Sequence, residues 1–225
     1  MKPSLRFQIA GVLLASLIAI QAQEKTPPLT AAEIEASYVE AIAQRTTDIT
    51  SLLKLADAAK SNRVAEIILS QYRLLRLRDD TIESMNKLMA ADAALAESSR
   101  TEISRVMTPR LHERFLTRLA AELTPEQMET VKDKMTYGKV KVTFDAYCDI
   151  IPNLTESDKT KIMEQLKLAR DEAIDGGSAT EKTRIFQKYK DQINDYLNAH
   201  GHDVAKAYQE WEAKQPKKEE RTPAK

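Results

Sequence analysis

The sequence predicts an all-α protein, a multi-helix bundle of about six to eight helices that follows a signal peptide and ends in a disordered tail. Alanine, leucine, lysine, glutamate and glutamine are abundant, whereas glycine occurs only five times in 225 residues, a composition that favours helix over turn-rich sheet. Apolar residues recur at three- and four-residue spacing, and no segment alternates as a strand would. Capping residues and glycine or proline breaks divide these periodic segments.

The first segment of the chain is typical of a secretory signal peptide. Lys2 and Arg6 precede an apolar run over residues 9–20, which is too short to span a bilayer. Small and polar residues follow, and they predict a signal peptide over residues 1–22 and an extended leader over residues 23–29. Because no cysteine lies in or just after the signal, we expect an exported protein, periplasmic or secreted, without a lipid anchor.

Residues 30–214 are predicted to form a single helical domain. Its first helix starts at the capping box of Thr30 and ends near Arg45, and a short helical segment follows. Asp57 caps the next helix, whose apolar stripe is the longest in the chain and extends towards Leu95.

Three further helices are predicted in the middle of the chain. Pro109 opens the first of them, because proline is tolerated in a first helical turn. Thr124, followed by a proline and a glutamine that complete a capping box, opens the second, which ends at Gly138. The third ends at Pro152.

The last part of the domain is predicted to hold three helices as well. Thr155 caps one that stops at Gly176, and the next ends at Gly201. Asp203 caps a final short helix. Residues 215–225 are polar, charged and rich in proline, and we predict that they are disordered.

Charge and cysteine content exclude several classes of protein. The chain has 34 basic and 34 acidic residues, and because the two signs are interspersed, we expect no binding to nucleic acid. No second long apolar run could hold the chain in a membrane after signal removal. The only cysteine, Cys148, cannot form an internal disulfide and falls on an apolar stripe, so we predict that it packs in the core. No cofactor-binding motif is present.

Histidine supplies the one cluster of side chains that are typical metal ligands. His200 and His202 precede Asp203, and two imidazoles with a carboxylate could hold a transition metal. Their place at a helix end favours capping instead, so the sequence predicts no metal site. His112 stands alone and is predicted to be a surface or capping residue.

An acidic cluster on the longest helix resembles a general acid and base pair. Asp79, Asp80 and Glu83 make up the cluster, but Arg76 and Arg78 lie beside them. Mixed charges at this spacing are typical of a solvated helix face, which is the interpretation that we prefer.

Aromatic residues are concentrated in the second half of the chain. Their helical spacing favours core positions, whereas exposed rings could stack on sugars or on an apolar peptide. Trp211, close to the predicted tail, is the ring best placed for a functional surface. We consider Tyr137, Lys139 and Tyr147 candidates for the lining of a pocket.

Three stretches of sequence carry a resemblance to a known family. They are DAAKSNRVAEIILSQYR over residues 57–73, MTYGKVKVTFDAYCDIIPNLTE over 135–156 and KYKDQINDYLNAHGHD over 188–203. Together they resemble the exported bacterial helical proteins called domain of unknown function 3826, over residues 31–211. Members often occur in polysaccharide-degrading bacteria of the Bacteroides type, so the resemblance implies an extracytoplasmic role beside glycan use. It implies no activity and no functional residue.

These observations predict a non-enzymatic, exported binding or interaction protein whose partner is a glycan or an envelope protein. The alternatives are a glycan-active enzyme of unfamiliar type and a periplasmic helical chaperone. The chaperone alternative depends on a weaker similarity over residues 123–127, where a Leu-Thr-x-x-Gln pattern also has the spacing of a helix cap.

Overall fold

The computed structural model describes residues 29–215, and within this range the chain forms eight α-helices and no strand. The predicted all-α fold is therefore confirmed. The predicted signal peptide, most of the leader and nearly all of the predicted tail lie outside the described residues. The helices are α1 (Ala31–Leu52), α2 (Ala58–Leu88), α3 (Ala93–Ala120), α4 (Pro125–Met135), α5 (Lys139–Ile150), α6 (Glu156–Ala173), α7 (Ala179–Ala199) and α8 (Val204–Lys214).

Most helix starts lie where the capping residues predict them. Thr30, Thr124 and Thr155 each form a complete capping box, in which the hydroxyl accepts from a backbone N–H and the third helical residue reaches back. Asp57 and Asp203 cap α2 and α8 through their carboxylates. Local polar chemistry thus sets where these helices begin.

The predicted break in the first helix is wrong. Helix α1 continues without interruption to Leu52, because Ile42, Thr46 and Ile49 form one buried face across the expected boundary. The hydroxyl of Thr46 donates to the carbonyl of Ile42 at 2.7 Å, which satisfies this buried polar group inside the helix.

The predicted helix start at Pro109 is also wrong. Helix α3 begins at Ala93, behind the carboxylate cap of Asp92, and passes through Pro109. The proline lies at an exposed position, and α3 packs along α2. Tertiary packing on both sides of the proline thus outweighs the hydrogen bond that its missing N–H costs.

Two buried clusters of apolar residues form the core, and they adjoin at the junction between α6 and α7. Helices α1–α4 supply the first cluster, and α5–α7 supply the second. Ala173 belongs to the second cluster and its neighbour Ile174 to the first. Cys148 is half-buried and packs against the second cluster.

The distal ends of α2 and α3 form a two-helix extension, here called the helical arm (residues 79–110). Arg78 and Leu111 are buried, but no residue between them is. The part of α3 in this arm is about 27 Å long at 1.5 Å per residue. Within residues 29–215, no helix is long and apolar enough to cross a membrane.

Candidate functional site

A groove of about 820 Å³ lies between α5, α7 and α8, and it is lined mainly by amide, aromatic and aliphatic side chains. Only one of its lining residues, Lys190, is charged, although charged residues make up 30% of the chain. We call it the amide–aromatic groove. Its lining is Val142, Thr143, Ala146, Tyr147, Ile150, Gln187, Lys190, Asn194, Asn198, Val204, Ala205, Tyr208, Gln209 and Trp211.

Two aromatic rings form the α8 side of this groove. Tyr208 and Trp211 are three residues apart, so they share a helix face, and their ring centroids lie 6.0 Å apart. Tyr208 keeps 47% of its surface exposed. The pair therefore offers apolar ring surface to a ligand in the groove.

Two asparagines on consecutive turns of α7 are oriented by hydrogen bonds that their side-chain oxygen atoms accept. The buried Tyr147 hydroxyl donates to Oδ1 of Asn194 at 2.7 Å. Oδ1 of Asn198 accepts from the backbone N–H of Val204 at 3.1 Å, at the start of α8. Burial raises the pKa of Tyr147, so its hydroxyl remains a donor. Both asparagine amides therefore have N–H groups available to a ligand.

A second concave region lies at the base of the helical arm. Two adjoining cavities of about 590 and 530 Å³ share lining residues of α3 on one side and of the α6–α7 region on the other. Together they form what we call the polar cleft. The shared residues are Arg100, Ser104, Thr108, Glu172 and Asp175.

Asp175 is the centre of a buried hydrogen-bond network beside the polar cleft. Nδ1 of His112 lies 2.7 Å from Oδ2 of Asp175, and Nε2 of Gln71 donates to Oδ1 at 3.4 Å. Arg78 donates to the backbone carbonyl of Asp175 at 2.9 Å. The hydrogen bond with Asp175 is the main reason that the pKa of His112 is raised.

Arg78 is only 3% exposed, which contradicts its predicted place on a solvated helix face. Its guanidinium donates to Asp79 at 2.7 Å and to the hydroxyl of Thr108 at 3.2 Å. A buried guanidinium is tolerated because carboxylate, hydroxyl and carbonyl oxygens surround it. Of the predicted acidic cluster, Asp79 is therefore half-buried and bound to a buried guanidinium.

The α6–α7 junction is closed by a buried lysine. Lys182 is 3% exposed, and its ammonium donates to the carbonyl of Ala173 at 2.8 Å and to that of Ile174 at 3.4 Å. These carbonyls end α6, so the lysine caps the helix C-terminus. Desolvation lowers the pKa of Lys182 to about 8.

The structure brings together two of the residues that the sequence singled out. Tyr147 and Trp211 both line the amide–aromatic groove. Tyr137 lies elsewhere, 43% exposed, with the guanidinium of Arg45 5.7 Å from its ring centroid. The ammonium of Lys139 lies 6.0 Å from the ring centroid of Phe186 and is not among the groove-lining residues.

The two C-terminal histidines serve separate local contacts. Nδ1 of His200 lies 2.7 Å from the carbonyl of Tyr196, and the two rings stack. Nε2 of His202 lies 3.2 Å from Oδ2 of Asp158. Hydrogen bonds from Thr155, together with His202, lower the pKa of Asp158 to about 2. Among the described residues, no three histidine, cysteine or acidic side chains are arranged to hold a metal ion.

The fold and the cavities define an all-α protein with one nearly uncharged groove and one highly charged cleft. The chain belongs to the family described as Protein of unknown function (DUF3826), whose model matches residues 39–217. Comparison with curated proteins gives no match. The resemblance seen in the three sequence stretches is thereby confirmed, and it carries no activity with it.

Proposed function

We propose that this protein is an exported, non-enzymatic binding protein that holds a neutral segment of a polysaccharide in the amide–aromatic groove. The proposal rests on the composition of the groove. Its lining consists of carboxamide, aromatic and aliphatic side chains and only one charged residue. The signal-like segment over residues 1–22 supports action in the periplasm or at the cell exterior.

The chemistry of a sugar matches the groove on two counts. Sugar hydroxyls can accept from the amides of Asn194 and Asn198, which are already oriented by their oxygen atoms. The C–H faces of a pyranose ring can pack on the rings of Tyr208 and Trp211. A volume of about 820 Å³ also lies in the range that small-molecule sites occupy.

A titration with neutral oligosaccharides tests this proposal directly. Trp211 is the only tryptophan in the chain, so its fluorescence reports on the groove alone. We expect a saturable change in emission when the mature protein is titrated with neutral hexose or pentose oligosaccharides. Tyr208→Asn should weaken binding about three- to tenfold, because it removes one stacking surface.

The matched control is Tyr137→Asn, which removes a similarly exposed tyrosine that does not line the groove. Tyr137 is 43% and Tyr208 47% exposed. Equal affinity loss in both variants would argue against the groove, and so would an unchanged emission with every neutral oligosaccharide. Binding of a denatured envelope protein in place of sugars would support the chaperone alternative.

One observation favours a glycan-active enzyme as the second candidate. His112 is oriented by the buried Asp175 and lines a cleft that also contains Glu172, an arrangement that suits proton transfer. Cleavage of a polysaccharide by the purified protein, abolished in His112→Gln, would replace the non-enzymatic proposal by this one.

A further inference from the structure

We propose that the polar cleft is a second binding site, which takes an uncharged polyhydroxylated ligand between a wall of hydrogen-bond donors on α3 and a wall of acceptors on α6. This site is separate from the amide–aromatic groove, and its occupation does not require the groove to be filled.

The donor wall consists of four side chains at four-residue intervals along α3. Arg100, Ser104, Thr108 and His112 all line the same cavity of about 590 Å³. Twelve residues of helix extend about 18 Å, so successive donors are about 6 Å apart. Each side chain can offer an N–H or O–H group to the cleft.

The acceptor wall faces these donors from α6 and the turn after it. Asp171 and Glu172 contribute carboxylates to the lining of the same cavity, and the buried Asp175 ends this wall where it holds His112. A hydroxyl group donates one hydrogen bond and can accept others. An anion, by contrast, only accepts hydrogen bonds, and an ammonium only donates them. A ligand with many hydroxyls can therefore satisfy both walls at once.

The balance of charge in the cleft also favours an uncharged ligand. The cavity of about 590 Å³ is lined by three groups that can carry positive charge and three carboxylates, and each has a counter-charge within the protein. The second cavity of the cleft also holds both signs of charge. Arg100 pairs with Glu97, Arg105 with Glu102, His112 with Asp175, Asp171 with Lys132, and Glu172 with Lys188. An ionic ligand would have to displace one of these pairs, whereas a neutral polyol would not.

Buried residues beneath the cleft hold its hydrogen-bond donors in position. Arg78 and Gln71, each 3% exposed, hold Asp175, and Asp175 in turn fixes the ring of His112. Arg78 also donates to the hydroxyl oxygen of Thr108, which leaves the hydroxyl hydrogen for another acceptor. Such preorganisation lowers the conformational entropy that the side chains of the cleft lose when a ligand binds.

Binding in the cleft has a pH dependence that follows from His112. Its Nε2 donates only when the ring is protonated, and the hydrogen bond with Asp175 favours that form. Asp171 on α6 acts in the same direction, while Lys132 on α4 opposes it. Deprotonated Nε2 can still accept from a ligand hydroxyl, but this bond is not charge-assisted, so the affinity should decrease as the pH rises through the pKa of His112.

The test follows the imidazole resonances of the mature protein by NMR while neutral mono- and oligosaccharides and, in a separate titration, uronates are added. The chain has only three histidines, so His112 is readily assigned with a His112→Gln variant. We expect a saturable shift of the His112 signals with at least one neutral sugar. Ser104→Ala should weaken that binding about three- to tenfold, because it removes one donor.

Ser98→Ala is the matched control, since it makes the same change on the same helix at an exposed position that does not line the cleft. Thermal unfolding of each variant checks that the fold is retained. Equal losses in the two serine variants, a His112 response only to uronates, or no response to any sugar would each overturn the proposal.

The proposals for the two binding sites can be refuted independently of each other. A change in Trp211 emission without a shift at His112 supports the groove and overturns the cleft. A shift at His112 without a change in Trp211 emission supports the cleft and overturns the groove.

Discussion

At Gly177, a single added methyl group would collide with a carboxylate. A Cβ atom at this position would lie 1.5 Å from Oδ2 of Asp79. The other oxygen of Asp79 accepts two hydrogen bonds from the buried guanidinium of Arg78. The methyl group would therefore displace Asp79 and weaken its contact with a cation that has little access to water.

Gly177→Ala should lower the free energy of unfolding by about 1–3 kcal/mol, as overpacking of a close contact typically does. Urea denaturation of the variant and the wild type measures this difference. The same substitution in an Asp79→Ala background should cost much less, because the colliding carboxylate is gone. If the cost is the same in both backgrounds, the collision is not its cause.

At the scale of helices, burial is distributed very unevenly. No residue of the helical arm is buried over residues 79–110. In α6, by contrast, Ile162, Leu166, Ala169 and Ala173 have no exposed surface. Because tertiary packing supplies most of a helix's stability, the arm should open far more readily than α6.

Hydrogen exchange measures this difference between the two helices. We expect the backbone amides of the arm, above all those near the turn between Leu88 and Ala93, to exchange fastest among the helical amides of α2, α3 and α6. The amides of α6 should exchange only by global unfolding. Equal protection in the arm and α6 would show that the exposed arm gains stability from something other than burial.

At the scale of the whole molecule, Asp175 connects the two halves of the core. Its partners Gln71 and His112 come from α2 and α3, which belong to the first cluster, while Asp175 itself follows α6. The contact between the halves therefore depends in part on the protonation of one histidine.

This dependence predicts how stability changes with pH. The folded protein raises the pKa of His112 above the value of 6.5 for a free histidine, so it binds more protons than the unfolded chain between these two values. The contribution of the His112–Asp175 pair to the free energy of unfolding should be highest below about pH 6.5 and decrease as the pH rises through the folded pKa.

Urea denaturation between about pH 5.5 and pH 8.5 measures this dependence. His112→Gln is the reference, because it keeps a polar side chain that does not titrate. The advantage of the wild type over this variant should decrease with rising pH. A constant difference across the range would mean that the ion pair contributes nothing to the pH dependence.

The sequence predicts those features of this molecule that depend on residues close together in the chain. The capping boxes of Thr30, Thr124 and Thr155 each involve residues three apart, and all three are present. The pair of His112 and Asp175 joins residues 63 positions apart, and no local pattern marks either of them. The sequence therefore predicts His112 to be an isolated surface or capping residue and gives no indication of the polar cleft.

Local sequence patterns also fail to predict the path of the helix through Pro109 and the formation of the groove. A local rule placed a helix start at Pro109, but the packing of α3 along α2 determined the outcome. Tyr147 and Trp211 were both noticed for their aromatic character, yet the sequence could not show that α5 and α8 bring them to one groove. Tyr137 was noticed for the same reason and lies outside that groove.

The last helix has a consequence for selectivity. Helix α8 has no buried residue and packs against α5 and α7, and it carries two of the three aromatic residues that line the amide–aromatic groove. The turn into α8 passes through Gly201, where φ is +91°, a backbone conformation that glycine adopts without strain. Since so little packing holds its two α8 rings, a groove that binds glycan as proposed should tolerate different substituents on a sugar rather than discriminate strictly among them.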